Sequence, residues 1–365
     1  MKILMTGGPV YGYLDSVKII TNKFKGGRIA RLADRICDMG HEVYYLCSKE
    51  STKPECVSAI ITYDGFEEYK EKVLSMAPKF DAIVLGAAVA NLIPNSPWRH
   101  TKFPSHNYKE GDKINIEFVV APRVINAVKK VSPNTTLIGF KLLTNVAYEE
   151  LIEAAYKTLI ESNANFVIAN DSANLDSKFI VTKEKSVITL HEDELPQFIN
   201  LAVKDRHYKT ILRNGYSGDL DFRPAKYDDL CAHYCEELKS GFDIKRNMLF
   251  GCVAIRTGKG FVISSRGKEN MLSTSYVENV DHDKLELTAC GTKKASLNAP
   301  LIDHIFKMVP AAQAVVHYHR ASDLKTLPYA FPGTVRDSLR YMNGKSFCIE
   351  NHGTFLLLDS EGRTL

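Results

Sequence analysis

The first ten residues, Met1-Lys2-Ile3-Leu4-Met5-Thr6-Gly7-Gly8-Pro9-Val10, decide how the first half of the chain is read. Ile3 to Met5 is the apolar core of a β-strand, and Thr6-Gly7-Gly8-Pro9 is a glycine-containing turn behind it. One lysine before so short an apolar run makes a strand, not a signal peptide. Downstream, Ile29, Leu32, Ala33 and Ile36 recur at helical spacing and predict a helix from about Gly27 to Met39. Gly40 stands where a helix-ending glycine belongs. The pattern then alternates. Val43–Cys47 is a strand, Gly65–Met76 a helix, and Ala82–Leu85 a fully apolar strand closed by Gly86-Ala87-Ala88. Thr136–Phe140 is a strand, Tyr148–Ser162 a helix and Phe166–Ala169 a strand.

Apolar strands alternating with amphipathic helices predict a parallel sheet covered on both faces, the doubly wound (Rossmann-like) α/β arrangement. Ligands of such sheets sit at the carboxyl ends of strands. Here those ends include Thr6-Gly7-Gly8, Gly86-Ala87-Ala88 and Ala169-Asn170-Asp171. Small residues at the first two admit a ligand close to the backbone, and the Asn170 amide can hydrogen-bond one at the third. Ile180-Val181 and Val187–Leu190 read as a hairpin, followed by a helix from about Glu192 to Asp205. Arg213-Asn214-Gly215-Tyr216-Ser217-Gly218-Asp219 is turn-rich and polar. The domain boundary is expected there, between residues 1–212 and 220–365. The second domain has another rhythm: a helix over Tyr227–Ser240, a helix over about Pro300–Val309, and short strands at Gly251–Arg256, Gly260–Ser264, Ala314–His319, Phe347–Ile349 and Thr354–Leu358. This is an α+β or layered α/β unit.

Composition limits the function. The chain has 365 residues, 45% of them hydrophobic, which suffices for two packed cores. Its net charge of +4 carries no block of Lys/Arg interleaved with aromatics, so no nucleic-acid partner is expected. No apolar run approaches the roughly 20 residues that span a bilayer, so a cytoplasmic protein with no membrane partner is expected. The eight cysteines form no CxxC pair. Cys231 and Cys235 flank His233 on a predicted helix and read either as a metal cluster or as two reduced thiols.

Two regions carry chemistry. In the first, Gly7-Gly8 after the opening strand is a candidate phosphate cradle, because exposed backbone N–H groups can face an anion. Gly26-Gly27 precedes a helix whose N-terminus attracts phosphate, with Lys25 and Arg28 adding charge. Asn22 reads either as a ligand or as a cap of that helix. Lys102 reads as a phosphate ligand or a solvated lysine, and Phe140 as base-stacking or core.

From Thr6 to about Thr182 the chain resembles the phosphopantothenate–cysteine ligase (phosphopantothenoylcysteine synthetase) family. Asp15-Ser16-Val17-Lys18-Ile19-Ile20-Thr21-Asn22 with Gly26 resembles the family's Asp-x-Val-Arg/Lys-x-Ile-x-Asn and the glycine beyond it. Gly86-Ala87-Ala88-Val89-Ala90, Thr101-Lys102-Phe103, Gly139-Phe140-Lys141-Leu142 and Val167-Ile168-Ala169-Asn170-Asp171 resemble four further motifs in order. The resemblance implies a ligase of coenzyme A biosynthesis that activates an acid with CTP or ATP and Mg²⁺ and passes the acyl-nucleotide to an amine. It implies Asn22 and Lys102 as catalytic residues. It implies Gly7, Gly8, Gly26, Ala87, Ala88, Asn91, Phe140, Lys157 and Asn170 as nucleotide-binding. Asn91 stands where the family has Asp, Ile29 replaces its last loop glycine, and Leu143 replaces a Glu.

In the second region, Val315-Val316-His317-Tyr318-His319 sets two histidines on one face of a strand end, because strands alternate with period two. His352 lies at another strand end, in Glu350-Asn351-His352-Gly353. Three imidazoles with an open position suit a catalytic zinc site, though His-x-His alone is as often structural. From about 227 onward the chain resembles the class II aldolase/adducin family at Gly251–Arg256, Ser264–Gly267, Val316–His319, Pro332-Gly333-Thr334 and Asn351-His352-Gly353. The resemblance implies Zn²⁺ or a similar divalent metal on His317, His319 and His352. The family's acid/base Glu aligns with Asn298, which cannot carry that proton. The preferred reading is therefore a ligase fused to an aldolase-like metal domain, acting on a small-molecule acid and amine as a homo-oligomer. A metal-dependent lyase or epimerase on a phosphorylated small molecule, or a non-catalytic assembly module, are the alternatives.

Overall fold

A computed structural model describes residues 1–213, 223–339 and 344–365. The chain divides into two compact units, Met1–Lys204 and Asp205–Leu365. The expected boundary stretch lies outside the described residues apart from Arg213. Lys209–Arg213 itself pairs in parallel with Glu286–Cys290 of the second sheet, so residues 205–212 go with the second unit, not the first.

In the first unit, strands β1 (Lys2–Gly7), β2 (Glu42–Ser48), β3 (Ala59–Tyr63), β4 (Ala82–Leu85), β5 (Thr136–Leu143) and β6 (Phe166–Asp171) form the parallel part of one sheet. Their spatial order is β3-β2-β1-β4-β5-β6. Asn174–Thr182 and Val187–His191 add an antiparallel hairpin at the β6 edge. The central strands are buried along most of their length, as parallel strands covered on both faces must be. Helix α1 (Gly27–Asp38) packs with Leu195–Lys204, while helices Gly65–Met76, Ile125–Val131 and Tyr148–Ser162 pack with one another. Right-handed crossovers put these two groups on opposite faces. The order reverses between β1 and β4, the place where open α/β sheets bind ligands, and beyond both strands the chain stays paired, Pro9–Val10 with Ala88–Val89.

Hydrogen bonds hold the two strand ends side by side. Gly86 N–H donates to the Thr6 carbonyl at 3.0 Å, Ala87 N–H to Thr6 Oγ1 at 3.3 Å, and Ala88 N–H to the Gly8 carbonyl at 2.9 Å. Gly26, the residue before α1, has φ of +85°, and a Cβ there would sit 2.3 Å from Gly8 N. The two glycine turns thus lie backbone against backbone, a contact that only glycine permits.

A two-stranded hairpin, Leu92–Asn95 with Glu117–Val120, leaves Leu92, Phe118, Val119 and Val120 exposed.

The second unit is a nine-stranded mixed sheet. Its middle runs Thr274–Asp281, Gly260–Ser264, Cys252–Thr257, Ala314–Tyr318, Gly353–Leu358, all antiparallel neighbours. Buried residues of Ala299–Met308 cover one face, and Tyr227, Leu230 and Leu238 lie on the other. The helix expected over Tyr227–Ser240 is two, Ala225–His233 and Cys235–Lys239, broken at Tyr234. His, Tyr and Cys in succession are all weak helix formers, which favours a break there.

Gly26→Ala is expected to destabilise the first unit by about 1–3 kcal/mol. Gly27→Ala, whose Cβ would meet nothing closer than 3.7 Å, is expected to be neutral or better. Urea unfolding of both variants checks the contrast.

Candidate functional site

The first site assembles around the carboxyl ends of β1 and β4. Asp15 organises its outer wall. Its buried carboxylate accepts from Val17 N–H at 2.7 Å, Lys18 N–H at 2.5 Å, Lys18 Nζ at 3.0 Å and Phe103 N–H at 3.1 Å. Burial pushes this carboxyl up, but the Lys18 ammonium and the three backbone donors outweigh it and hold the group well below the usual range. Ser16 N–H donates to the Thr101 carbonyl at 3.1 Å. Lys102 is thereby pinned on both sides, at Thr101 and Phe103, while its own side chain stays exposed. The same turn leads through the Gly12–Tyr13/Ile19–Ile20 ladder to Asn22. Asn22 does not cap α1, since Gly26 holds that place. Its Nδ2 donates to the Ala88 carbonyl at 3.0 Å, at the mouth of β4.

Gly7, Gly8, Gly26, Ala87 and Ala88 gather at these strand ends through the bonds described above. Asn170, next to last in β6, is 6% exposed, and its Oδ1 has no hydrogen-bond partner among the described residues. A buried acceptor left open costs about 1–3 kcal/mol unless something fills it. Phe140 is half-buried on β5, two strands from β1. Asn91 is exposed and accepts through its carbonyl from Ala121 N–H at 2.8 Å. Lys157, on the helix Tyr148–Ser162, stands 3.9 Å from Glu161. Its charge, with that of Arg123, adds to burial in lowering the Lys141 ammonium.

Three features escaped the sequence. Ser51 Oγ lies under Gly8 and hydrogen-bonds Ser48 Oγ at 2.8 Å. Arg28, expected to add positive charge at the α1 N-terminus, pairs with Asp176 at 3.1 Å and with Glu192. Lys178, 5% exposed at its side chain, joins that cluster and is pushed down to about 8 by burial and then by Arg28. Only the sign of the charges, not their pairing, was present in the local sequence.

The second site is a histidine cluster. His317 is fully buried on Ala314–Tyr318 and stacks on Phe355 at 4.0 Å. Its ring centroid lies 5.0 Å from His319 and 4.6 Å from His352, and these two are 5.1 Å apart. One ring nitrogen from each lies within 4.8 Å of the others. Gly353, with φ of +133°, lets the turn bearing His352 approach: a Cβ there would sit 2.1 Å from the Tyr318 carbonyl. His317 Nδ1 is 3.0 Å from the Thr354 carbonyl. Donation there fixes the tautomer and turns the Nε2 lone pair inward, where that atom has no hydrogen-bond partner among the described residues. Three imidazoles gathered this closely fit a divalent ion of zinc type. Burial, then the neighbouring His352 and His319, hold His317 well below the ordinary histidine range. Asn298, 1% exposed, precedes the helix Ala299–Met308. Cys231, His233 and Cys235 span the helix break and are not gathered into a three-ligand group.

The family profile described as "DNA/pantothenate metabolism flavoprotein C-terminal domain" matches residues 1–214. The chain belongs to this family. The coenzyme A biosynthesis bifunctional protein CoaBC of Thermococcus kodakarensis is 29% identical over 215 residues, 58% of this chain and 50% of the relative. That of Bacillus subtilis is 23% identical over 207 residues, 55% of this chain and 48% of the relative. The chain thus spans about half the length of these curated relatives. The crystal structure of the DNA/pantothenate metabolism flavoprotein from Streptococcus pneumoniae is similar in fold, with 23% identity and a TM-score of 0.50 over 56% of this chain and 98% of that one. No helix among the described residues is long and apolar enough to cross a membrane.

The histidine site yields a pH prediction. The His317 ring titrates below its unfolded value of about 6.5, so the unfolded chain takes up more protons below that pH. Stability from the neutral ring is complete above about pH 6.5 and falls as pH drops. The Tm of metal-free protein is expected to fall between about pH 7 and pH 5, and to fall less steeply in His317→Asn.

Proposed function

We propose that the first unit is a nucleotide-dependent carboxylate–amine ligase of the phosphopantothenate–cysteine type. The observation that carries this reading is the meeting, at the carboxyl ends of β1 and β4, of the paired glycine turns with Asn22, hydrogen-bonded to the Ala88 carbonyl. Family membership and the printed name of the relatives, coenzyme A biosynthesis, support phosphopantothenate as the acid and cysteine as the amine. A carboxylate oxygen attacks the α-phosphorus of CTP or ATP and expels pyrophosphate. The amine then attacks the acyl carbon and expels the nucleoside monophosphate. Gly7, Gly8 and Gly26 cradle phosphate through backbone N–H groups. Ala87, Ala88, Asn91 and Phe140 line the base and sugar side, with Asn170 and Lys157 as further polar contacts. Lys102 offsets charge that builds on the phosphates in the transition state. The Asn22 amide, oriented by Ala88, keeps its oxygen and second N–H for the acyl-nucleotide. Mg²⁺ accompanying the triphosphate neutralises part of its charge.

The second unit is read as a class II aldolase-like metal domain in which His317, His319 and His352 hold Zn²⁺ or a similar ion. A metal there supplies Lewis acidity to a bound oxygen. Asn298 in place of a proton-carrying Glu speaks against aldol cleavage and leaves metal binding intact. A metal-dependent lyase or epimerase activity of this unit is the second reading, and the Nε2 of His317, unpartnered among the described residues, is what favours it. The exposed Leu92, Phe118, Val119 and Val120 support self-association into a homo-oligomer.

Pyrophosphate release from CTP and ATP, with phosphopantothenate and cysteine, tests the ligase reading. Lys102→Ala and Asn22→Ala are expected to lower kcat about 10²–10³-fold, the range for losing one transition-state donor. His317→Ala is expected to retain that activity and lose bound metal by elemental analysis. Absence of release with either nucleotide sinks the reading. Phe118→Glu with Val120→Glu is expected to convert the oligomer to monomer in light scattering.

A further inference from the structure

We propose that Cys56 is a thiol-oxidation site and that Cys37 resolves it into a reversible intrachain disulfide. Both thiols are free, and their sulfur atoms lie 3.7 Å apart. Cys37 sits in the last turn of α1, and Cys56 is exposed in the segment between β2 and β3. The pair is held together by more than chance packing. Asp34, one helical turn before Cys37, accepts from Glu55 N–H at 2.8 Å and from Cys56 N–H at 2.7 Å. The backbone of Cys56 is therefore already docked on α1. From 3.7 Å the sulfurs have to close to a bonded separation of about 2.05 Å.

Exposure assigns the roles. Cys56 meets solvent, whereas burial and then the neighbouring Cys56 push the Cys37 thiol up to about 11. The thiolate of Cys56 attacks one sulfur of a small-molecule disulfide and expels a thiolate, leaving a mixed disulfide. Cys37 gives its proton to solvent and attacks Cys56 Sγ, expelling the second thiolate. Two protein thiols are oxidised and one small disulfide is reduced to two thiols.

The segment that would be tethered matters to the fold. Between Ser48 and Cys56 it carries Ser51, which backs Gly8, and Thr52, whose N–H donates to the Lys25 carbonyl at 2.9 Å. A Cys37–Cys56 bond fastens to α1 the strip that supports both glycine turns, whatever those turns bind.

Incubation of the full chain with glutathione disulfide, followed by alkylation, intact mass and peptide mapping, tests this. The expected result is loss of two hydrogens, with Cys37 and Cys56 protected from alkylation together, and reversal by dithiothreitol. Cys37→Ser should instead accumulate glutathione on Cys56, and Cys56→Ser should leave Cys37 unmodified. In the oxidised parent chain the Tm should rise and hydrogen exchange at the Thr52 amide should slow. A stable glutathione adduct on Cys56 of the parent chain, a bond between any other pair of cysteines, or an oxidised form with unchanged Thr52 exchange overturns the proposal. The parent-chain readouts stand even if a variant folds poorly.

Discussion

Thr6 receives two hydrogen bonds from the strand beside it, Gly86 N–H to its carbonyl and Ala87 N–H to its hydroxyl. These bonds keep the ends of β1 and β4 in register beyond the last paired residues of the strands. The ladder runs on through Pro9–Val10 and Ala88–Val89, at the place where the strand order reverses and open α/β sheets bind ligands. Glycine and alanine dominate these strand ends, so much of the surface a ligand would meet there is backbone. That makes the geometry intolerant: a side chain on Gly26 would strike Gly8 itself. Asp15 performs a similar service further out, binding together two segments that lie far apart in the chain and so setting where Lys102 stands.

The second unit depends on a different economy. His317 is surrounded by the apolar face of Phe355 and the backbone of its neighbouring strands, and one of its nitrogens is committed to Thr354. The other is buried with no donor to it among the described residues. A buried polar atom in that condition costs about 1–3 kcal/mol. Such a cost is sustained most readily where a ligand recovers it, which is why this atom weighs more in the metal reading than the mere nearness of the rings.

Much of the architecture was legible because it is periodic. Of the α1 stripe Ile29, Leu32, Ala33 and Ile36, the last three are buried and Ile29 is half-buried, and the apolar runs of β1, β4 and β6 became the buried strands of the parallel sheet. Strands without a clean run were missed. Ala59–Tyr63 is an edge strand with mixed exposure, and Thr274–Asp281 interleaves polar residues throughout. The sites were legible as residue types but not as partnerships. His317, His319 and His352 could be grouped because two share a strand face. That Asn22 would bond Ala88, or that Arg28 would be absorbed by Asp176 and Glu192, depends on residues brought together only by the sheet. Cys37 and Cys56 gave no local signal at all.

The strand order of the second sheet has a consequence for synthesis. Lys209–Arg213 emerges first but finds its neighbour only when Glu286–Cys290 has been made. Ala314–Tyr318, at the sheet's middle, is flanked on one side by Gly353–Leu358. Met1–Lys204 has every strand of its sheet in hand once its own last residue is translated, and domains generally fold as units in the order they leave the ribosome. The second unit must wait for its final strand. During that interval the half-built sheet shows an open apolar edge at Val315 and Val316, so a pause or truncation late in the message exposes the nascent chain to misassociation there.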